Sequence, residues 1–371
     1  MELYLLDQQM QICSMPLEDF TSLQWTESWS EPGKFDLRLD YRYFPEISRA
    51  RYIYNTDAGK AAIIEMISYT MADSQTVQLT GRLLESLLTR RIIEKSWRTT
   101  GTVAEQAHKT FLHYASPDGD RALENVTDGA AEGYTDTGDI PTTGGQTLAD
   151  WAYTSLNSYD MTPEIAYDFA AGTAAFGVRK RTDRTQGNAG GLSPVLFSQS
   201  FENTKNDKYA YDETELKNHA YVVMEDDPCY GRHIVQVSTQ TAEEPRVELY
   251  VKSKASSEPD RSGGTLTPTV TLDECRATME QEGREALQDR AILESVTCEI
   301  GTNGIYEYRR DYAVGDLVSY TSSILGVEMA AQITAVTETY ERGARTIKAQ
   351  IGKDFSAVNY LRRLISRSKN G

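Results

Sequence analysis

Cysteine is scarce in this sequence of 371 residues, and long apolar runs are absent. The cysteines lack the Cys-x-x-Cys spacing of zinc and redox motifs, which favours reduced thiols. No apolar run approaches the length of a membrane span, and the acidic N-terminus does not resemble a signal peptide. We therefore expect a protein of the cytoplasm, without membrane insertion. The cysteines are Cys13, Cys229, Cys275 and Cys298.

Basic residues are also few, with 38 Lys and Arg against 55 Asp and Glu, a net charge of -17. One interpretation is solubility with weak self-repulsion. Another is a surface that does not retain nucleic acid, because phosphate binding requires the opposite sign of charge. The length predicts two or three domains with real cores.

Histidine occurs four times, without a metal motif. His108 and His113 are five positions apart, so a helix would place them on different sides. Glu105 and His108 have the Glu-x-x-His spacing of di-metal carboxylate sites, but the second copy that such sites require is missing. We therefore predict no metal and no cofactor.

Motifs of nucleophilic and acid–base catalysis are absent or isolated. Asp136-Thr137-Gly138 matches the aspartic protease triplet, but it lies in a polar, glycine-rich stretch without a second copy. Glycine-rich phosphate loops and nucleophile elbows do not occur. The acidic groups at 118–120 and 225–227 lack the ligand ladder of a calcium loop and are interpreted as solvated loops. We predict no catalytic residues.

The N-terminal region predicts a β-hairpin. Leu23, Trp25 and Trp29 alternate with polar residues, although Glu27 occupies the same phase. After a short Pro-Gly segment, Phe35, Leu37 and Leu39 alternate in the same way. We expect both tryptophans to be buried on one face of this sheet. Strands at 63–69 and 76–80 continue the sheet, and leucine spacing in 81–97 predicts a helix.

Capping boxes at Thr102–Glu105 and Thr271–Glu274 mark helix starts, the second helix running to about Glu294. A further amphipathic helix is predicted over Thr147–Tyr159. Between these helices, alternation predicts strands, and a Ser/Gly/Pro-rich connector marks a domain boundary at 253–267. The expected later strands are 177–179, 195–198, 220–224, 233–238, 246–252, 318–320, 329–337 and 346–351.

The dense basic run consists of Arg179, Lys180, Arg181 and Arg184 around Asp183. One interpretation is a solvated turn. The alternative is pairing with carboxylates of another subunit, because the rest of the protein is acidic. We therefore take Arg179, Arg181, Asp183 and Arg184 as a candidate interface.

Four ordered blocks carry a resemblance to a known family. Asp183-Arg184-Thr185 precedes the strand that ends at Phe197-Ser198, and further blocks are Ser22–Leu37, Gly81–Arg91 and Asp311–Gly352. Together they resemble the baseplate hub, or tail-associated, proteins of long-tailed phages and prophages.

That resemblance implies an α+β, mainly β fold with two related β-barrel domains and small inserted α/β domains. The first barrel would comprise 1–98 and about 176–252, with a helix-containing insertion at 99–175. Residues 253–371 would supply a linker, a helix and the second barrel.

The resemblance also implies a structural role. Three subunits would place six barrels around an axis at the virion tail tip, after assembly in the host cytoplasm. DNA would pass through without specific binding. Implied partners are the distal tail protein and the tape measure. A tail-associated peptidoglycan hydrolase and a monomeric surface-binding module remain alternatives.

Overall fold

The fold is mainly β, as expected from the sequence, with few helices. A computed structural model describes residues 1–70, 75–115, 119–260, 265–301, 304–341 and 343–352. The strands are β1 Leu3–Leu6, β2 Phe20–Ser28, β3 Lys34–Asp40, β4 Tyr52–Asn55, β5 Lys60–Thr70, β6 Thr76–Leu83, β7 Ile92–Ile93, β8 Val126–Asp128, β9 Gln146–Thr147, β10 Met161–Asp168, β11 Thr173–Lys180, β12 Leu196–Ser198, β13 Thr204–Asp212, β14 His219–Asp227, β15 Gly231–Ser238, β16 Glu248–Lys252, β17 Pro259–Asp260, β18 Thr267–Pro268, β19 Leu293–Ile300, β20 Leu317–Ser322, β21 Val327–Glu341 and β22 Ala344–Gly352. The α-helices are α1 Phe44–Ile47, α2 Val103–Ala115, α3 Leu148–Asn157 and α4 Leu272–Gln288.

One twelve-stranded sheet organises the chain, in the order β1-β4-β5-β6-β3-β2-β21-β22-β19-β13, with β20 and β12 attached beside β21. The strands on one side of the β2–β21 pair come from residues 3–83, and those on the other side come from residues 196–352. We call these two parts the first half and the second half. They are joined by antiparallel pairing from Ser22 with Glu341 to Ser28 with Ala335. The described pairing forms open sheets, and barrel closure of either half stays a prediction.

The predicted N-terminal hairpin is confirmed. β2 pairs with β3 in a register that places Trp25 opposite Phe35 and Leu23 opposite Leu37. All four of these side chains are buried, and the rings of Trp25 and Phe35 stack with centroids 5.9 Å apart. Alternation of apolar and polar residues therefore gave the correct register.

Both tryptophans are buried, as expected, but they pack in different cores. Trp25 packs in the core of the first half, whereas Trp29 packs in that of the second half. β2 ends at Ser28, and the Trp29 amide donates to the Thr334 carbonyl. Gly315 lies against the indole so closely that a Cβ there would be 2.1 Å from a ring carbon.

An insertion between the two halves contains α2, α3 and a three-stranded sheet of order β10-β11-β8. Its predicted helix starts are confirmed. The Glu105 carboxylate accepts from the Thr102 amide at 3.0 Å, and the Thr147 hydroxyl accepts from the Asp150 amide. Phe111 and Trp151 share a core with Tyr52 and Ile63 of the first half, so the insertion packs directly on the main sheet.

A second small unit follows β13. Its sheet, in the order β15-β14-β16, carries α4 on one face and has its own core, which includes Val222 and Met279. In the described part of the chain, these strands pair with one another and not with the first half. The resemblance implies a grouping of 176–252 with residues 1–98, and strand pairing alone does not decide this grouping. The domain boundaries stay a prediction.

Four elements differ from the sequence expectations. The leucine-rich stretch after β6 forms a short 3-10 helix, Leu84–Arg90, instead of a helix reaching residue 97. α4 begins with its predicted capping box at Thr271 but ends at Gln288, six residues early, and β19 follows. The strands β10 and β13 were not predicted. In β13, the polar residues Lys205 and Asp207 occupy the same phase as Tyr209 and Tyr211, so the stretch lacks a clear apolar alternation.

We predict that Trp25→Ala strongly destabilises the protein. Trp25 is fully buried, and truncating such a side chain typically costs about 3–5 kcal/mol. Thermal and urea unfolding measure the effect, with Tyr250→Ala as an exposed aromatic control. A Trp25 variant as stable as this control would contradict the assigned register.

Candidate functional site

The predicted interface residues lie at the end of β11 and just after it, and their side chains contact their own chain. Arg181 contacts Asp160 at 2.8 Å, and Arg184 contacts Asp316 at 3.0 Å. The carboxylate of Asp183 accepts from the amide and hydroxyl of Thr185, and these hydrogen bonds lower the pKa of Asp183. A contact of these residues with another subunit stays a prediction. Within the same chain, Arg181 and Arg184 each already contact a carboxylate.

Arg179 is the first residue of the run and lies near the end of β11. Its guanidinium donates to the Val314 carbonyl at 2.8 Å and lies 5.2 Å from the ring centroid of Trp29. On its other side it approaches Glu164 at 3.9 Å. Arg179 therefore connects the insertion to both the second half and a buried group of charges.

We call this group of charges the buried charge network. Its first part surrounds Lys60 of β5. The ammonium lies 3.0 Å from Glu164 of β10, 3.8 Å from Glu85 of the 3-10 helix and 3.9 Å from Glu27 of β2. One side-chain oxygen of Glu85 is buried without a hydrogen-bond partner among the described residues. Together with Arg179, these side chains line a small polar cavity between the first half and the insertion.

The network continues across the β2–β21 pair. Arg309 contacts Glu27 at 2.7 Å and also contacts Glu338 of β21. Glu338 is almost completely buried, and it accepts further hydrogen bonds from Arg345 at 3.0 Å and from the Tyr340 hydroxyl at 3.1 Å. Each of these buried carboxylates is thereby neutralised by a neighbouring cation.

The shifts in pKa follow the balance between burial and pairing. Burial alone would raise the pKa of Glu27, but Lys60 and Arg309 outweigh it, and the pKa is lowered. Glu164 shows the same balance, with Lys60 the strongest cation. For Glu85, burial outweighs the attraction of Lys60, and the pKa is raised. Glu27 and Glu164 therefore stay ionised at neutral pH.

One signal for this network is present in the sequence. Glu27 occupies the apolar phase of β2, between Trp25 and Trp29. On β21, Glu338 likewise occupies the same phase as Val336 and Tyr340. A carboxylate in the buried phase of a strand requires a cation, but the partners lie far away in the sequence.

The side chains considered for catalysis have structural contacts. Glu105 caps α2, and Asp136 forms an ion pair with Lys180 at 2.6 Å. His108 lies between Asp128 at 2.7 Å and Glu132 at 3.1 Å, while His113 stacks on a tryptophan.

The acidic loops were considered for calcium binding. The Asp227 carboxylate accepts from the amides of Cys229, Tyr230 and Ser257, which is the pattern of a turn. Asp118 lies outside the described residues. Across the ranges given above, no three His, Cys, Asp or Glu side chains group as a metal site, and no helix is long and apolar enough to cross a membrane.

The fold is that of phage and prophage tail proteins. Over 95% of this chain and 96% of the other, it matches a tail protein from Neisseria meningitidis MC58, with a TM-score of 0.57 and 14% identity. A prophage tail protein, gp18, from Listeria monocytogenes EGD-e matches over 100% of both chains, with a TM-score of 0.58 and 11% identity. The 43 kDa tail protein of prophage MuSo2 from Shewanella oneidensis gives 0.56 and 13%, over 95% of this chain and 98% of its own.

The sequence itself matches a family model described as Siphovirus ReqiPepy6 Gp37-like protein over residues 2–353. The chain belongs to this family of siphovirus tail proteins, which confirms the resemblance drawn from the four blocks. A comparison with curated proteins gives no match.

We predict that Arg309→Met destabilises the protein strongly, whereas Arg310→Met does not. Losing Arg309 leaves Glu27 with only Lys60, 3.9 Å away, and Glu338 with only Arg345 among the described cations; breaking a buried pair costs up to about 3–5 kcal/mol. Arg310 forms only exposed pairs with Glu307 and Asp311, which are typically worth below about 1 kcal/mol. Urea unfolding of both variants measures the difference. Equal urea midpoints for the two variants would show that the buried charge network does not stabilise the β2–β21 pairing.

Proposed function

We propose that this protein is the structural baseplate hub of a long-tailed phage or prophage. Three copies would form a ring at the tail tip around the conduit for DNA. Membership of a siphovirus tail protein family over residues 2–353 carries the proposal. In this proposal, the two strand-rich halves of the chain would correspond to the two barrels that the resemblance implies.

Symmetry supports three copies. A ring of six similar units matches the symmetry of a sixfold tail tube. Because each chain has two strand-rich halves, three copies supply these six units. A closed cyclic ring also leaves no open interface that would drive filament growth. The buried charge network fits this role, because it would keep the two halves of each subunit in a fixed relation.

The net charge of -17 supports passage of DNA without retention. A basic lining would bind phosphates and release counterions, which would hold the DNA in the channel. We propose that the distal tail protein and the tape measure are the neighbours in the tail tip. Assembly would take place in the host cytoplasm, before the tail joins the virion.

The alternatives have less support. A hydrolase requires a nucleophile–base pair or a metal site, and Asp136, Glu105 and His108 are engaged in structural contacts. A glycan-binding module would favour an exposed aromatic platform, whereas Trp25 and Trp29 are both buried. We therefore propose that the protein is not an enzyme.

We predict a homotrimer that does not bind duplex DNA. Light scattering across increasing protein concentration should reach three chain masses. A gel shift at physiological salt should remain negative, because an acidic surface repels phosphate. A stable twofold dimer, a monomer at millimolar concentration or tight DNA binding would each contradict the hub proposal.

We also predict no hydrolytic activity. Peptidoglycan zymography and a general protease assay should both be blank with the purified protein. Asp136→Asn and Glu105→Gln serve as matched variants, since these two side chains belong to the catalytic motifs that the sequence offers. Clearing by the wild type that is lost in either variant would overturn the structural assignment.

A further inference from the structure

The small polar cavity of the buried charge network lies between the first half and the insertion. Its lining includes Lys60, Glu85, Glu164 and Arg179, and the volume open to a solvent molecule is about 10 Å³. A buried water molecule requires about 10–15 Å³. The cavity therefore has the size of a single water molecule, which excludes any larger ligand.

Two polar atoms of the cavity lining are buried without a hydrogen-bond partner in the described part of the chain. One is the Oε2 atom of Glu85, and the other is the Nε atom of Arg179. The remaining polar atoms of both side chains have neighbours: Oε1 of Glu85 faces Lys60, and Nη1 of Arg179 donates to the Val314 carbonyl. Buried polar atoms are normally paired with protein atoms or with ordered water, so these two call for a partner.

Three ion pairs around the same cavity are too long for direct hydrogen bonds. The Lys60 ammonium lies 3.8 Å from Glu85 and 3.9 Å from Glu27, and the Nε atom of Arg179 lies 3.9 Å from Glu164. An ammonium group has three N–H donors, and the 3.0 Å contact of Lys60 with Glu164 uses one of them. Polar groups separated by more than about 3.5 Å are often bridged by water.

The two unpartnered atoms restrict the chemistry of the ligand. The Nε atom of Arg179 is a donor and requires an acceptor, whereas the Oε2 atom of an ionised Glu85 requires a donor. A cation would serve only Glu85 and would lie beside Lys60 and Arg179. An anion would serve only Arg179 and would lie among three carboxylates. A water molecule serves both atoms, because it donates and accepts.

We propose that one ordered water molecule is bound in this cavity as a constant part of the subunit. It accepts from the Nε atom of Arg179 and from the Lys60 ammonium, and it donates to the Oε2 atom of Glu85. The long contact between Lys60 and Glu85 is thereby replaced by two short hydrogen bonds. The water also links Arg179 of the insertion to Lys60 of the main sheet. The proposal does not depend on the number of subunits.

Protonation of Glu85 does not remove the site. Burial raises the pKa of Glu85, so its carboxyl group takes up a proton more readily than an exposed one. A protonated Oε2 atom would donate to the same water, which can still accept from Arg179. Water is therefore compatible with both states of Glu85, and neither a cation nor an anion is.

A crystal structure of the wild-type protein tests the proposal directly. Crystals are grown in sodium chloride and, separately, in rubidium bromide, and anomalous scattering is recorded at the rubidium and bromine edges. We expect a density peak within hydrogen-bond distance of both Arg179 Nε and Glu85 Oε2, without anomalous signal. A peak with rubidium or bromine signal would show that the site holds an ion and would overturn the proposal. The absence of any peak at high resolution would also overturn it.

Relaxation dispersion of oxygen-17 in water provides a measurement in solution, because it counts long-lived internal water molecules. Glu85→Met removes the acceptor and keeps the length of the side chain, so this variant should have one such water fewer than the wild type. Glu85→Gln keeps polar atoms at the cavity and should retain the water. The matched control is Glu65→Met, since Glu65 forms an exposed pair with Arg82 away from the cavity.

Thermal unfolding of the three variants verifies that they fold. Equal counts of internal water in the wild type and in folded Glu85→Met would contradict the proposal. A loss of one water in Glu65→Met as well would show that the count does not report on this cavity, and the wild-type crystal then decides. The crystal also decides if Glu85→Met does not fold, because it uses the unmodified chain.

Discussion

The antiparallel pairing of β2 with β21 holds the two halves of the main sheet together, and buried charges are concentrated along it. Glu27 on β2 and Glu338 on β21 share Arg309, while Lys60 extends the same network to the insertion. Carboxylates at these depths are stable only where cations are held beside them. The geometry of both halves and of the insertion therefore depends on one set of ion pairs.

The inserted units are attached to the two halves that the β2–β21 pairing joins. The insertion between the halves packs on the first half through a shared apolar core and reaches the second half through Arg179 and Arg184. The unit built on β14–β16 and α4 has its own small core. The chain thus combines a continuous sheet, which sets the overall arrangement, with smaller units attached to it.

Local patterns in the sequence predicted the elements that are determined by interactions between residues close in the chain. Period-two alternation gave the β2–β3 hairpin with its register, and the capping threonines gave the starts of α2 and α4. The partners of β14 could not be predicted, because alternation does not specify which strand lies beside another. The charge network was missed for the same reason: Glu27 was visible as an exception in its strand, but Arg309 is distant in sequence.

The long sequence separation between β2 and β21 has a consequence for synthesis in the cell. Residues that pair between β2 and β21 are roughly three hundred positions apart, so at ordinary translation rates about 15 to 60 s pass before β21 follows β2 out of the ribosome. During that interval the edge of β2 and the carboxylate of Glu27 have no partner from the second half. Nascent chains of this protein are therefore expected to depend on chaperones until the final strands emerge.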